Sequence, residues 1–233
     1  MEEVINKNQI DLGYLGLNIS GEICRNLSIE KLIQEGLLNK ETKMSMNGAV
    51  MVDTGIYTGR SPKDKYIVEE DSTKDNIWWG DVNQKLDEEI FDELFGLIKD
   101  FYNSNSSKTY VFDGYGGDDK DHRLPIRIIA KKSWQAHFAH NMFVRPAKQE
   151  LENFNPEFTI INASDISNSK YLSHKMNSET FIVFNLRKKI AIIGGTEYAG
   201  EMKKGIFSVL HYLLPMKNIL SMHCSANVDL ENK

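Results

Sequence analysis

Apolar positions along the chain recur at two spacings, and the succession of those spacings predicts the order of elements. Over 28–38, Ile29, Leu32, Ile33, Leu37 and Leu38 fall at helical intervals behind Ser28, whose hydroxyl suits an N-cap, and the pattern stops near Asn39. Residues 86–101 repeat the helical spacing, with Ile90, Leu94, Leu97 and Ile98 on one face and carboxylates on another. Two more helices are predicted. One covers 134–143 and ends at Arg145-Pro146, because proline disfavours helical geometry in the residue before it. The other covers 201–214, striped by Ile206, Val209, Leu210 and Leu213. Short apolar runs at 48–52, 110–112, 126–130, 158–162, 180–185 and 190–194 predict strands, many of them rich in β-branched or aromatic residues. Between two of these, the Gly and Asp run 114–119 reads as a surface turn. The order predicts an α/β or α+β fold, a mixed β-sheet flanked by helices, without the strict alternation of a doubly wound domain.

Composition narrows the function classes. A chain of 233 residues, 41% hydrophobic and 26% charged, has the make-up of a globular protein able to bury its own core, and one domain is the simplest reading. A net charge of −5 argues against a nucleic-acid partner and leaves room for small anions met by a local cluster of cations. Cys24 and Cys224 follow no metal or disulfide spacing, which points to a reducing, cytoplasmic location. The N-terminal run has no leader pattern, and no apolar run reaches the roughly 18 residues a membrane span needs, so no membrane partner is expected.

Four runs carry candidate chemistry. Gly194-Gly195-Thr196-Glu197-Tyr198-Ala199-Gly200 leaves a strand and opens a helix, where backbone N–H groups can hold an anion; its glycines serve turn geometry alone in the blander reading. It matches neither the dinucleotide fingerprint nor the Walker A pattern, and no Gly-x-x-x-x-Gly-Lys-[Ser/Thr] occurs in the chain. Lys203 and Lys204 follow at once: either a solvated pair, or a pair in which each raises the potential at the other so that one can lose its proton and ligate a metal. Arg60 stands in Thr58-Gly59-Arg60-Ser61-Pro62-Lys63-Asp64-Lys65, a tight loop after a strand, where its guanidinium can fork onto a carboxylate or simply face water. His137 and His140 share a helix face, but no third ligand accompanies them, so a packed helix is expected rather than zinc. His223, in Ser221-Met222-His223-Cys224-Ser225-Ala226-Asn227, reads as a strand or strand end, and its imidazole as a metal ligand or a hydrogen-bonded core group.

Taken together, the runs from Tyr57 to Lys65, Trp134 to Pro146, Gly194 to Gly205 and Ser221 to Asn227 resemble the ATP-type phosphoenolpyruvate carboxykinases, in order and from about residue 10 onward. The resemblance implies that Arg60 binds the carboxylate of oxaloacetate or phosphoenolpyruvate and that Tyr198 and Lys204 contact substrate. It also implies that Lys203 meets substrate or phosphate and can supply a proton, and that CO2 leaves near the Gly200 backbone. Lys204 and His223 then hold Mn2+, Mg2+ accompanies ATP, and the partners are oxaloacetate or phosphoenolpyruvate, CO2 and ATP/ADP. In that family a Walker A loop and an acidic metal motif follow the histidine run; here the sequence stops at Lys233. The expectation is therefore an N-terminal domain spanning 1–233, with 215–233 leading into a C-terminal nucleotide-binding domain, and neither tight binding of ATP or metal nor turnover by this chain alone. A free-standing carboxylate-binding module is the alternative.

Overall fold

The computed structural model describes residues 10–225, 227–229 and 231. The first nine residues, read above for a leader pattern, and Ala226 of the histidine run lie outside the described residues.

Eight strands form one mixed sheet: β1 (Ile23–Arg25), β4 (Lys65–Val68), β5 (Gln84–Leu86), β6 (Thr109–Gly116), β7 (Leu124–Ala130), β8 (Phe158–Ala163), β9 (Phe181–Asn185) and β10 (Ile190–Gly194). Their spatial order is β1-β6-β7-β8-β10-β9-β4-β5. A separate two-stranded ribbon pairs β2 (Thr42–Met44) with β3 (Val50–Val52). The helices are α1 (Ile29–Leu38), α2 (Glu88–Ser104), α3 (Ser133–Met142), α4 (Lys148–Glu152) and α5 (Gly200–Met216).

The central strands are buried along their whole length, as expected of strands covered on both faces. Side chains alternate between the two cores. Ile161, Val183 and Ile192 pack beneath α2 with Phe91, Leu94 and Ile98, whereas Ile160, Ile182 and Ile193 meet Trp134 of α3 and Met202, Ile206 and Val209 of α5. Helices on both faces make this a three-layer α/β arrangement. The Tyr102 hydroxyl at the end of α2 donates to the Asn162 carbonyl at 2.7 Å, fixing that helix to the sheet. Ser28 caps α1 as its position suggests, accepting from Lys31 N–H at 3.3 Å.

Some expectations shift. Gly114 to Gly116 are not a surface turn: they extend β6, buried and paired with β7, and the reversal follows at residues 117–123. A Cβ on Gly114 would fall 2.4 Å from the Phe112 ring and 2.8 Å from the Val144 carbonyl, so the glycine serves close packing inside a strand. The strand expected at 48–52 is confined to Val50–Val52 and belongs to the ribbon. Strands β1, β2, β4 and β5 were not predicted, since three or four residues show no period.

One charged cluster is wholly interior. Asp113 on β6 is 0% exposed and accepts from Arg127 Nε at 2.7 Å and Nη2 at 2.8 Å, its cross-strand partner on β7, and from Arg25 Nε at 2.7 Å on β1. Two guanidiniums thus share one carboxylate, and removing the anion leaves both uncompensated. Asp113→Ala is expected to cost about 3–5 kcal/mol of unfolding free energy; chemical denaturation measures it, and a loss below about 1 kcal/mol would mean the arginines are solvated.

His140 of α3 is buried edge-on against the Phe112 ring, the packed-helix outcome for the His137/His140 pair. Burial first, then the charges of Arg145 and His137, depress its pKa from 6.5 to about 4. A depressed base contributes stability that is complete above the unfolded value and is lost as pH falls through the folded one. Between pH 6.5 and about 4 the protein should lose stability that a His140→Leu variant retains, by up to ~3 kcal/mol at the acid end. Thermal melts of the two proteins across that range check it; parallel curves would remove His140 as the cause.

Candidate active site

Strand directions bring the candidate residues to one end of the sheet. β10 runs antiparallel to β9, with Gly194 opposite Phe181, and β9 runs parallel to β4, with Ile182 opposite Lys65. The exit of β10 and the entries of β9 and β4 therefore share one edge. Three loops meet there: the Arg60 loop, the segment before Phe181, and the glycine run.

Each loop is tied to another. Ser61 N–H donates to Glu201 Oε1 at 2.6 Å, joining the Arg60 loop to the first turn of α5. Asp64, buried, accepts from Asn177 Nδ2 and Ser178 Oγ, both at 2.8 Å. The Thr180 hydroxyl donates to the Gly195 carbonyl at 2.9 Å and lies 2.6 Å from the Tyr57 hydroxyl. Gly195 takes φ +71°, a left-handed turn that sends the chain from β10 toward the helix. At Gly200 a Cβ would stand 2.4 Å from the Tyr198 ring, so only glycine lets that ring lie across the start of α5. Lys132, at the exit of β7, bridges Asp165 at 2.9 Å and Glu197, bracing the glycine run from its other side.

Lys203 is exposed, and Lys204, half-buried, points elsewhere on the helix. Lys204 Nζ lies 2.6 Å from His223 Nε2 and 4.6 Å from the Phe207 ring centroid; the His223 ring stands edge-on to that same phenyl at 5.0 Å. The two nitrogens expected to share a metal thus converge, although His223 is exposed and in no strand, contrary to the strand expected there. An amine and an imidazole nitrogen are donors that could ligate a divalent ion once both are free of their protons. Among the described residues no cluster of three His, Cys, Asp or Glu side chains joins them. Arg60 is exposed, with its charge near both Glu201 and Lys65. Burial raises the Glu201 carboxyl above its ordinary value, opposed by the Ser61 N–H and the Arg60 charge, while burial and then Arg60 lower Lys65.

The glycine and lysine runs, the Arg60 loop and His223 are thus assembled from distant stretches of chain. A family model described as phosphoenolpyruvate carboxykinase matches residues 21–233. The chain belongs to the phosphoenolpyruvate carboxykinase family. Proteins named phosphoenolpyruvate carboxykinase (ATP) from Leptospira biflexa serovar Patoc and Sulfurimonas denitrificans are similar to it. The first is 56% identical over 224 residues and the second 47% over 221, covering 96% and 95% of this chain. The chain spans 42% of the length of each of these relatives.

Glu201 and Asp64 lie inside the glycine and arginine runs, but their roles, like that of Thr180, had no signal in the sequence, because they depend on partners 113 to 140 positions away. Glu201→Ala should leave the Ser61 amide unsatisfied at a cost of about 1–3 kcal/mol. It should also speed hydrogen exchange at Ser61 while leaving β10 amides protected; unchanged exchange at Ser61 would show the loop is held by other contacts.

Proposed function

We propose that this chain is the N-terminal, substrate-binding part of a cytoplasmic ATP-dependent phosphoenolpyruvate carboxykinase. The parent enzyme converts oxaloacetate to phosphoenolpyruvate and CO2 with ATP, a step of gluconeogenesis. Residues 1–233 form its oxaloacetate/phosphoenolpyruvate domain, and 215–233 lead into the nucleotide-binding domain. The observation carrying this reading is the Ser61–Glu201 tether, which holds the Arg60 loop at the head of the helix bearing Lys203 and Lys204.

The chemistry suits the residue types. Cleaving the carboxyl carbon from oxaloacetate leaves its electron pair as an enolate, which must be stabilised where it forms. Arg60 forks onto the carboxylate that remains and Tyr198 orients it, so that the departing carboxyl faces the Gly200 backbone. Lys203 balances the developing charge. Lys204 and His223 would hold Mn2+, and the chemistry it would supply there is Lewis-acid stabilisation of the enolate oxygen. Lys204 must give up its proton to ligate, and His223 must leave Nε2 unprotonated. The enolate oxygen then accepts the γ-phosphoryl group of ATP, a transfer that rests on positioning and charge neutralisation more than on any protein nucleophile. Mg·ATP is held by the C-terminal domain, since this chain has no Walker A loop.

By calorimetry with Mn2+ present, the purified chain should bind phosphoenolpyruvate, and Arg60→Gln should weaken that binding at least about tenfold through loss of a charge-assisted fork. With oxaloacetate, ATP and Mn2+ it should form no phosphoenolpyruvate. Turnover by the chain alone overturns the half-enzyme reading, and full binding by the Arg60 variant overturns the assignment of that residue. In the coding sequence past Lys233, an in-frame Walker A loop supports the half-enzyme, whereas a stop codon supports the free-standing carboxylate-binding module.

A further inference from the structure

A second cleft lies on the α5 side of the sheet, between strand β4, the segment leading to the edge strand β5, and the C-terminal half of α5. It encloses about 320 Å3. Its floor is apolar, built from Ile67, Phe184 and Val209 of the core. Its rim carries Tyr212 and Trp78, the latter 90% exposed. An indole left in water beside a concave apolar floor offers a face on which a flat ring can stack, and such stacking is worth about 0.5–1.5 kcal/mol beyond the area it buries.

One cation serves this cleft. Lys65 is half-buried, and its Nζ donates to Asn83 Oδ1 at 2.8 Å and approaches Ser208 Oγ at 3.4 Å. Both partners are neutral, and an ammonium has three donors. Among the described residues no carboxylate lies within ion-pair distance of it, and none lines the cleft. Asn83 also holds the Trp78 carbonyl at 2.8 Å, so one side chain fixes both the cation's partner and the indole segment. Burial and then the nearby Arg60 charge lower the proton affinity of Lys65, with the more distant Glu201 carboxylate partly opposing them, so an anion in direct contact relieves an existing penalty.

We propose that this cleft is a binding site for a small planar aromatic monocarboxylate, its ring on the apolar floor beneath Trp78 and its carboxylate on Lys65. The lining fixes that class. A single lysine in a lining that holds no carboxylate selects a monoanion, an apolar floor rejects small hydrophilic acids, and 320 Å3 lies at the small end of the roughly 300–1,000 Å3 of ligand pockets, room for one ring system. Nothing in this inference depends on the carboxykinase reading. That reading engages Arg60, Lys204 and His223, none of which lines this cleft.

Amide and indole N–H correlation spectra of the chain, titrated with benzoate, benzyl alcohol and acetate, test it. Benzoate should produce saturable shifts at the Trp78 indole and at Ser208 and Tyr212, with benzyl alcohol and acetate at least tenfold weaker. Lys65→Met should weaken benzoate at least tenfold and leave benzyl alcohol unchanged, while Trp78→Ala, at an exposed position that cannot compromise folding, should weaken both. The proposal is overturned if benzoate perturbs residues 59–61 instead of the cleft, if benzoate and benzyl alcohol bind alike, or if Trp78→Ala leaves benzoate binding intact. Should Lys65→Met lose the dispersed spectrum of the folded chain, the benzoate-to-benzyl-alcohol ratio in the unmodified protein decides the matter by itself.

Discussion

The reversal of strand direction between β10 and β9 is the constraint on which the rest depends. Had β9 run parallel to β10, the chain entering it and the chain leaving β10 would lie at opposite ends of the sheet, and Thr180 could not meet Gly195. Because the pair is antiparallel and β4 then runs with β9, the exit of the glycine run and the entry of the Arg60 segment fall on the same edge. Hydrogen-bond register, set by strands buried on both faces, therefore decides which loops can form a site. The helices follow from the same burial: strands apolar on both sides need cover on both, which α2 supplies on one face and α3 with α5 on the other.

On that edge the electrostatics are arranged around a carboxylate instead of a cation. The charges of Arg60 and Lys65 bear on Glu201, buried in the first turn of α5 with the likewise buried Asp64 near it. Its backbone contact with Ser61 gives the loop a fixed point while the guanidinium itself stays exposed. An exposed arginine on a tethered loop can reach a ligand without first breaking an ion pair, which a buried pairing such as Arg127 with Asp113 would forbid. The molecule uses both devices: paired arginines inside, where they hold β1, β6 and β7 together, and at the sheet's end one that makes no ion pair among the described residues.

Much of the framework was legible in the sequence. The long periodic helices α2 and α5 and the β-branched strands β8, β9 and β10 declare themselves, because each buries a regular face. Strands β4 and β5 do not: they are edge-side strands of three or four residues whose assignment comes from pairing alone. Gly114 misleads, since glycine signals turns in general, while here it is a small residue admitting an aromatic ring and a neighbouring backbone into a strand, and the aspartates that follow lie in the reversal itself. Of the site, the residues with chemistry of their own, Arg60, Tyr198, Lys203, Lys204 and His223, stand out through the motifs that contain them. The contacts that position them do not: Glu201 and Asp64 lie in the same motifs and Thr180 at the head of a predicted strand, but a hydrogen bond across more than a hundred residues has no local trace.

Lys65 shows why the two kinds of legibility differ. In the sequence it is the last residue of a loop motif, indistinguishable from the solvated Lys63 two positions earlier. In the fold it is the first residue of β4, and the pleat that sends Tyr66 toward α2 directs Lys65 and Ile67 to the α5 side. There it meets Ser208 of α5 and Asn83 from the segment before β5, with Phe184 and Val209 below. Its charge is turned away from bulk water by the parity of a strand that no periodicity announces. A lysine so placed, whose hydrogen-bond partners among the described residues are an amide and a hydroxyl, has more reason to meet an anion than one on an open surface, and the same pleat puts that anion over an apolar floor.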